Sequence, residues 1–146
     1  MVYSGKYKIK NLQKYKGDYT NIVYRSSWEA RCMYYFDHNP SIIEWSSEEI
    51  IIPYRDPITG KVRRYFPDFK IKVRTKEGEI KSILIEIKPD YQTKEPKIQK
   101  RKTKRYITEV QTYVTNQAKW KAAVEYCSDR RWDFQILTEL HLGFTQ

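Results

Sequence analysis

Tyr65-Phe66-Pro67-Asp68-Phe69-Lys70-Ile71-Lys72-Val73-Arg74 and, shortly after, Ile80-Lys81-Ser82-Ile83-Leu84-Ile85-Glu86-Ile87-Lys88-Pro89 decide the fold of this chain. In both runs apolar residues alternate with charges at a period of two, the mark of half-buried strands. Thr75-Lys76-Glu77-Gly78-Glu79 joins them. If Thr75 pairs with Glu79, the loop has three residues and places Gly78 where a left-handed residue is needed. Counting back from that pair sets Asp68 directly opposite Glu86, with Lys88 two residues on and on the same face. Phe69, Ile71 and Val73 then share the other face with Ile83, Ile85 and Ile87. A slip of one residue would part the two acids.

Two carboxylates a few ångströms apart repel, and stay ionised together only with a cation between them. Oxygen donors without histidine or thiolate suit magnesium or manganese. A lysine beside such a centre can orient water or offset charge on phosphorus, which is a design for phosphodiester hydrolysis. The bland alternative is an exposed cross-strand ion-pair ladder. Pro67 before Asp68 in an extended run argues against it. So does the second strand, apolar enough to be central and an odd place for Glu86 and Lys88.

The rest of the chain frames this hairpin. Its 146 residues fit one domain, with residues 1–20 read as an irregular, basic arm, either lying against the domain or, the plainer reading, a solvated tail, and residues 21–146 as the domain proper. Ser26 and Glu29 form a capping box that opens a helix. Trp28, Cys32, Tyr35 and Phe36 mark its buried face, and Asp37-His38-Asn39-Pro40 ends it. Strands follow around Ile42-Ile43-Glu44-Trp45 and Ile50-Ile51-Ile52, a turn at residues 56–60, and a strand through Arg63 and Arg64. With the hairpin these give a sheet of three or four strands. A helix with Ile107, Val110 and Val114 on one face breaks at Thr115 or Asn116. A second helix carries Trp120, Ala123, Val124 and Cys127; Lys119 and Gln111 either approach the proposed centre or, the plainer reading, lie on the surface. Residues 132–136 alternate as a last strand, joined by a crossover and so parallel to its neighbour.

Charge narrows the function. Twenty-eight Lys and Arg against eighteen Asp and Glu give +10, and no run is long and apolar enough for a membrane span, so nucleic acid is the expected partner. Lys94, Lys97, Lys100, Arg101, Lys102, Lys104 and Arg105 face one acid, Glu95, just after the proposed centre. That density favours a segment tracking the DNA backbone over a merely solubilising run. Arg63 and Arg64 are close enough in sequence to Asp68 to meet the same strand, though solvated edge charges are the plainer reading. His38 and His141 are the only histidines, which leaves zinc schemes without ligands. No glycine loop for phosphate and no Ser-His-Asp or Cys-His pairing is present. Cys32 and Cys127 lack metal spacing and read as buried thiols in a reducing compartment. No signal-peptide pattern precedes them, so a non-secreted protein is expected.

Pro67-Asp68 followed by Glu86-Ile87-Lys88 resembles the PD-(D/E)xK nuclease motif. Tyr24-Arg25-Ser26-Ser27-Trp28-Glu29, Phe66-Pro67-Asp68-Phe69 and the stretch from Lys119-Trp120 to Glu139 widen the match to nearly the whole chain. The pattern is similar to the transposon-end-cleaving endonuclease subunits, and more so to the head completion nucleases of tailed phages. The resemblance implies an α/β fold: a restriction-endonuclease-like core, a mixed β-sheet flanked by helices on both faces. It implies a magnesium- or manganese-dependent endonuclease acting on double-stranded DNA. Asp68, Glu86 and the Ile87 carbonyl would hold metal, Glu29 would complete the shell, and Lys88 would assist the attacking water. A capping role explains Glu29 equally well. The chain ends soon after the last core strand, where transposon subunits continue, which favours the phage family. The host cytoplasm, the virion, and phage head or neck proteins are the setting and partners so implied. A transposase-type subunit and a non-catalytic DNA-binding or virion-structural domain are the alternatives.

Overall fold

The structure, a computed structural model, describes residues 4–143. Its elements in order are β1 (Gly5–Lys6), β2 (Val23–Tyr24), α1 (Ser27–His38), β3 (Ile42–Ser47), β4 (Ile52–Arg55), β5 (Val62–Tyr65), β6 (Phe69–Arg74), β7 (Ile80–Ile87), α2 (Lys104–Arg130), β8 (Asp133–Leu137) and α3 (Glu139–Leu142). The β6–β7 hairpin has the expected register, from Phe69 opposite Ile85 to Arg74 opposite Ile80. Thr75 N–H donates to the Glu79 carbonyl at 2.8 Å, and Gly78 takes the left-handed conformation at φ +83. The central sheet has the order β3-β6-β7-β8, with β8 parallel to β7 and the other pairs antiparallel.

Both faces of this sheet are covered. On one, Phe69, Ile71, Ile85 and Ile87 pack with Ile42 and Trp45 against Cys32, Met33 and Phe36 of α1. On the other, Leu84 packs with Tyr54, Tyr65, Trp120, Ala123 and Cys127, the last three from α2. The face that carries Glu86 is therefore itself largely apolar, and the strand reads as central for that reason. Both cysteines are buried and free. Among the described residues, no helix is long and apolar enough to cross a membrane.

Four expectations need correction. First, β4 and β5 do not join the sheet; they form their own two-stranded ribbon, because Glu48 at φ 55 turns the chain away after β3. Second, α2 runs unbroken for 27 residues through Thr115 and Asn116. Asn116 is buried in the same stripe as Tyr106, Trp120, Ala123 and Cys127, spaced by three and four residues or their multiples. Ile107, Val114 and Val124 lie off that stripe and are exposed. Third, Tyr35 is exposed, since the buried face of α1 runs through Cys32, Met33, Phe36 and Asp37.

The fourth concerns the solvated tail expected at the N-terminus. From Gly5 on, the arm is docked: β1 pairs with β2, and Tyr15 is buried edge-on against Trp45. Fully buried Asp37 accepts from the Tyr7 hydroxyl at 2.7 Å and from the N–H groups of Lys10 and Asn11 at 2.8 and 2.9 Å. Lys14 Nζ donates to the carbonyls of Phe36, Asp37 and Asn39, at the α1 C-terminus where helix carbonyls lack partners.

Candidate active site

Asp68 precedes β6 by one residue and Glu86 is the penultimate residue of β7. The hairpin register brings them together, and each carboxylate is held by the other's strand. Ile87 N–H donates to Asp68 Oδ2 at 2.7 Å, and the Asp68 N–H donates to the Glu86 carboxylate. Continued past Phe69, the register sets Pro67 opposite Ile87. Proline has no N–H, so the Ile87 carbonyl gets no ladder donor where the two acids meet. That oxygen and the two carboxylates form an all-oxygen set of the hard kind that suits magnesium or manganese. Among the described residues no three His, Cys, Asp or Glu side chains are gathered as a ready chelate, so the carbonyl and water would have to complete any shell.

Electrostatics agrees with that donor set. Burial, then the neighbouring Glu86, pushes the Asp68 carboxyl well above the usual range, against the Ile87 N–H and Lys88. Burial raises Glu86 as well, opposed by Lys88, the Tyr65 hydroxyl, Lys119 and the Asp68 N–H. Both acids thus lack a counter-charge strong enough to offset their desolvation, and a divalent cation would supply it. Lys88 Nζ lies 3.7 Å from Glu86 Oε2. The Tyr65 hydroxyl donates to Glu86 Oε1 at 2.9 Å within the core.

Glu29 faces the site, and only one half of the expected capping box forms. The Ser26 side chain caps the helix, while the Glu29 carboxylate takes the Ser26 hydroxyl rather than its N–H. Its N–H donates to the Ser26 Oγ at 3.1 Å, and its carboxylate accepts from that hydroxyl at 3.3 Å and from the Arg25 N–H. Burial is the main reason its carboxyl is raised, and its charge in turn raises Asp68. Glu29, Asp68, Glu86, Ile87 and Lys88 are therefore neighbours. The other candidates lie outside the cluster. Arg63 is bound to Asp56 at 2.9 Å and Arg64 lies over the Phe66 ring. Lys94 pairs with Asp90 and Arg105 with Glu109. Lys97, Lys100, Arg101 and Lys104 are exposed and enter no ion pair among the described residues.

Three residues belong to the site that the motif did not mark: Tyr65, Lys119 and Arg25. Lys119, expected on the surface, is half-buried within 6 Å of the Tyr54 and Tyr65 ring centres, at 5.8 and 5.7 Å, and within electrostatic reach of Glu86. Gln111 is exposed as expected. These contacts join elements far apart in sequence, so no local spacing signals them.

The family of TnsA-like endonuclease N-terminal domains matches residues 39–139, which hold the hairpin, α2 and β8. The chain belongs to this endonuclease family. It is also 42% identical over 143 residues to the head completion nuclease of Enterobacteria phage T4, covering 95% of this chain and 93% of that protein. No solved structure matches it. Both resemblances read from the residues are thus found, and the mixed sheet between helices is the α/β architecture they implied.

Proposed function

We propose that this endonuclease hydrolyses phosphodiester bonds of double-stranded DNA with magnesium or manganese, in the completion of a phage head. The observation that carries the chemistry is the Asp68–Glu86 pair, interlocked through the backbone, with Lys88 on Glu86. Asp68, Glu86 and the Ile87 carbonyl would hold the cation, with Glu29 behind Asp68. Bound there, it would polarise the phosphate and lower the pKa of water. Lys88, half-buried and tied to Glu86, is placed to orient a water molecule, which a cation merely meeting DNA at the surface would not be. The Tyr65 hydroxyl holds the Glu86 oxygen that Lys88 does not face, and Lys119 is within electrostatic reach of the same carboxylate.

Desolvating two acids costs stability and gives a purely structural protein no return, which speaks against the non-catalytic alternative. The head-completion setting rests on the near full-length match to the phage nuclease. By the same likeness, head or neck proteins and the virion are its surroundings.

The deciding experiment is an assay on supercoiled and linear DNA with and without magnesium, using wild type and Lys88→Ala. Wild type should cleave only with metal. Lys88→Ala should lose ~10²–10⁴-fold in turnover while binding DNA almost as well. Cleavage in chelator would overturn the metal, and parallel loss of binding and turnover would demote Lys88 to a phosphate contact.

A further inference from the structure

Arg25 stands immediately before the α1 N-cap, and its guanidinium is bound to Glu48. It also lies within electrostatic reach of Glu29 and Asp68. Glu48 follows β3 in the left-handed conformation, at φ 55, which is unfavourable for a residue with a Cβ. Its own N–H donates to the Asp68 carbonyl at 3.1 Å. The carboxylate that holds Arg25 is therefore built onto the peptide of Asp68. The Arg25 N–H, in turn, fixes the Glu29 carboxylate.

The sheet order turns these contacts into a row. Glu48 lies at the end of β3, Asp68 at the start of β6, and Glu86 with Lys88 at the end of β7, all at one end of three adjacent strands. Strands are about 5 Å apart, so a phosphate seated at the acid pair would have Lys88 on one side and Arg25 on the other. Arg25 is suited to that position by chemistry, since its planar fork of donors matches two oxygens of one phosphate. Its side chain is 59% exposed, open to a ligand arriving from solvent. A pair that exposed is weakly held, so exchanging its carboxylate for a phosphate costs little.

We propose that Arg25 is a phosphate-binding side chain of this site, kept on Glu48 in the free protein and transferred to a non-bridging oxygen of the scissile phosphate when DNA binds. The assignment rests on the nuclease reading above. The competing role is a fixed latch, in which Arg25 and Glu48 only pin the turn after β3.

The two roles separate in single-turnover cleavage at saturating DNA, measured for wild type, Arg25→Ala, Arg25→Lys and Glu48→Gln, with thermal melts alongside. Arg25→Ala should slow cleavage by about 10²-fold, as loss of one donor to developing charge does. Arg25→Lys, which keeps the charge and loses the fork, should recover part of it. Glu48→Gln removes the storage partner and leaves the cation, so it should stay within about tenfold of wild type. All should melt within a narrow range. Equal losses in Glu48→Gln and Arg25→Ala would establish the latch and overturn the assignment. Unimpaired cleavage by Arg25→Ala would overturn it while leaving the nuclease reading intact. A wild type inert with magnesium would remove that reading and the assignment together.

Discussion

At Asp68 the folded protein holds a carboxyl in a setting that favours its neutral form. A folded pKa raised above the unfolded value of about 3.9 makes the group stabilising when protonated. That contribution is present at low pH and is lost as pH rises through the folded pKa. In chelator, Asp68→Asn should therefore exceed wild type in stability at neutral pH, with the advantage vanishing toward pH ~4. Asparagine keeps an oxygen for the Ile87 N–H. Alanine would orphan that buried donor at a cost of about 1–3 kcal/mol and blur the gain. Manganese should reverse the order, stabilising wild type and not Asp68→Asn. Urea melts across this pH range, with and without metal, measure both effects. A wild type more stable than the variant at neutral pH in chelator would show that the acid pair is not strained. The pairing of Asp68 with Glu86 was legible because Gly78 fixed the turn and the turn fixed the register. The Tyr65 hydroxyl and Lys119 were not, since they reach Glu86 only once β5 and α2 are packed over Leu84.

Among the elements, the strands of the hairpin and the cap of α1 were readable because their signals are local: alternation, a glycine, a serine three residues from a glutamate. The length of α2 was not. An asparagine in mid-pattern looks like a cap until burial makes it part of the stripe. The docking of the arm was only the second of two readings, because its affinity for the domain lies in Asp37, which in sequence resembles any polar residue at a helix end. Burial alone would raise Asp37, but the Lys10 N–H, the Tyr7 hydroxyl and the Asn11 N–H outweigh it and hold the carboxyl below the usual range. The stability this supplies is present above the unfolded pKa and is lost as pH falls through the folded one. Asp37→Asn, which turns donors toward donors, should cost roughly 3 kcal/mol at neutral pH and flatten the acid limb of the stability curve. It should also let trypsin cut at Lys8, Lys10 and Lys14 before the domain is digested. Unchanged proteolysis together with an unchanged acid limb would mean that the arm is held by the β1–β2 pairing and by Tyr15 against Trp45, without help from Asp37.

For the whole molecule, the net charge of +10 is unevenly used, and the structure sharpens where. Lys94 and Arg105 are matched by Asp90 and Glu109, whereas Lys100, Arg101 and Lys104 have no acidic partner among the described residues. Lys104 and Arg105 also open α2, whose first turn contains no acid. Cations at that end work against the helix dipole, so their placement serves something other than helix stability. The segment leaves β7 directly after Lys88, and its 3-10 turn at Asp90–Thr93 is tied to Glu139 by a 2.7 Å bond from the Asp90 N–H. If the three unpaired cations each neutralise a phosphate, replacing them by glutamine should lower the slope of log affinity against log salt by about three, near the ~0.9 expected per contact. The loss should be the same on unrelated DNA sequences, because phosphates carry no base information. Cleavage at saturating DNA should persist, since Asp68, Glu86 and Lys88 are untouched. Removing Lys104 should even favour α2 slightly, so a weaker complex could not be blamed on a frayed helix. A filter-binding salt titration of the two proteins in calcium reads the slope directly, and an unchanged slope would make the run a solvated loop.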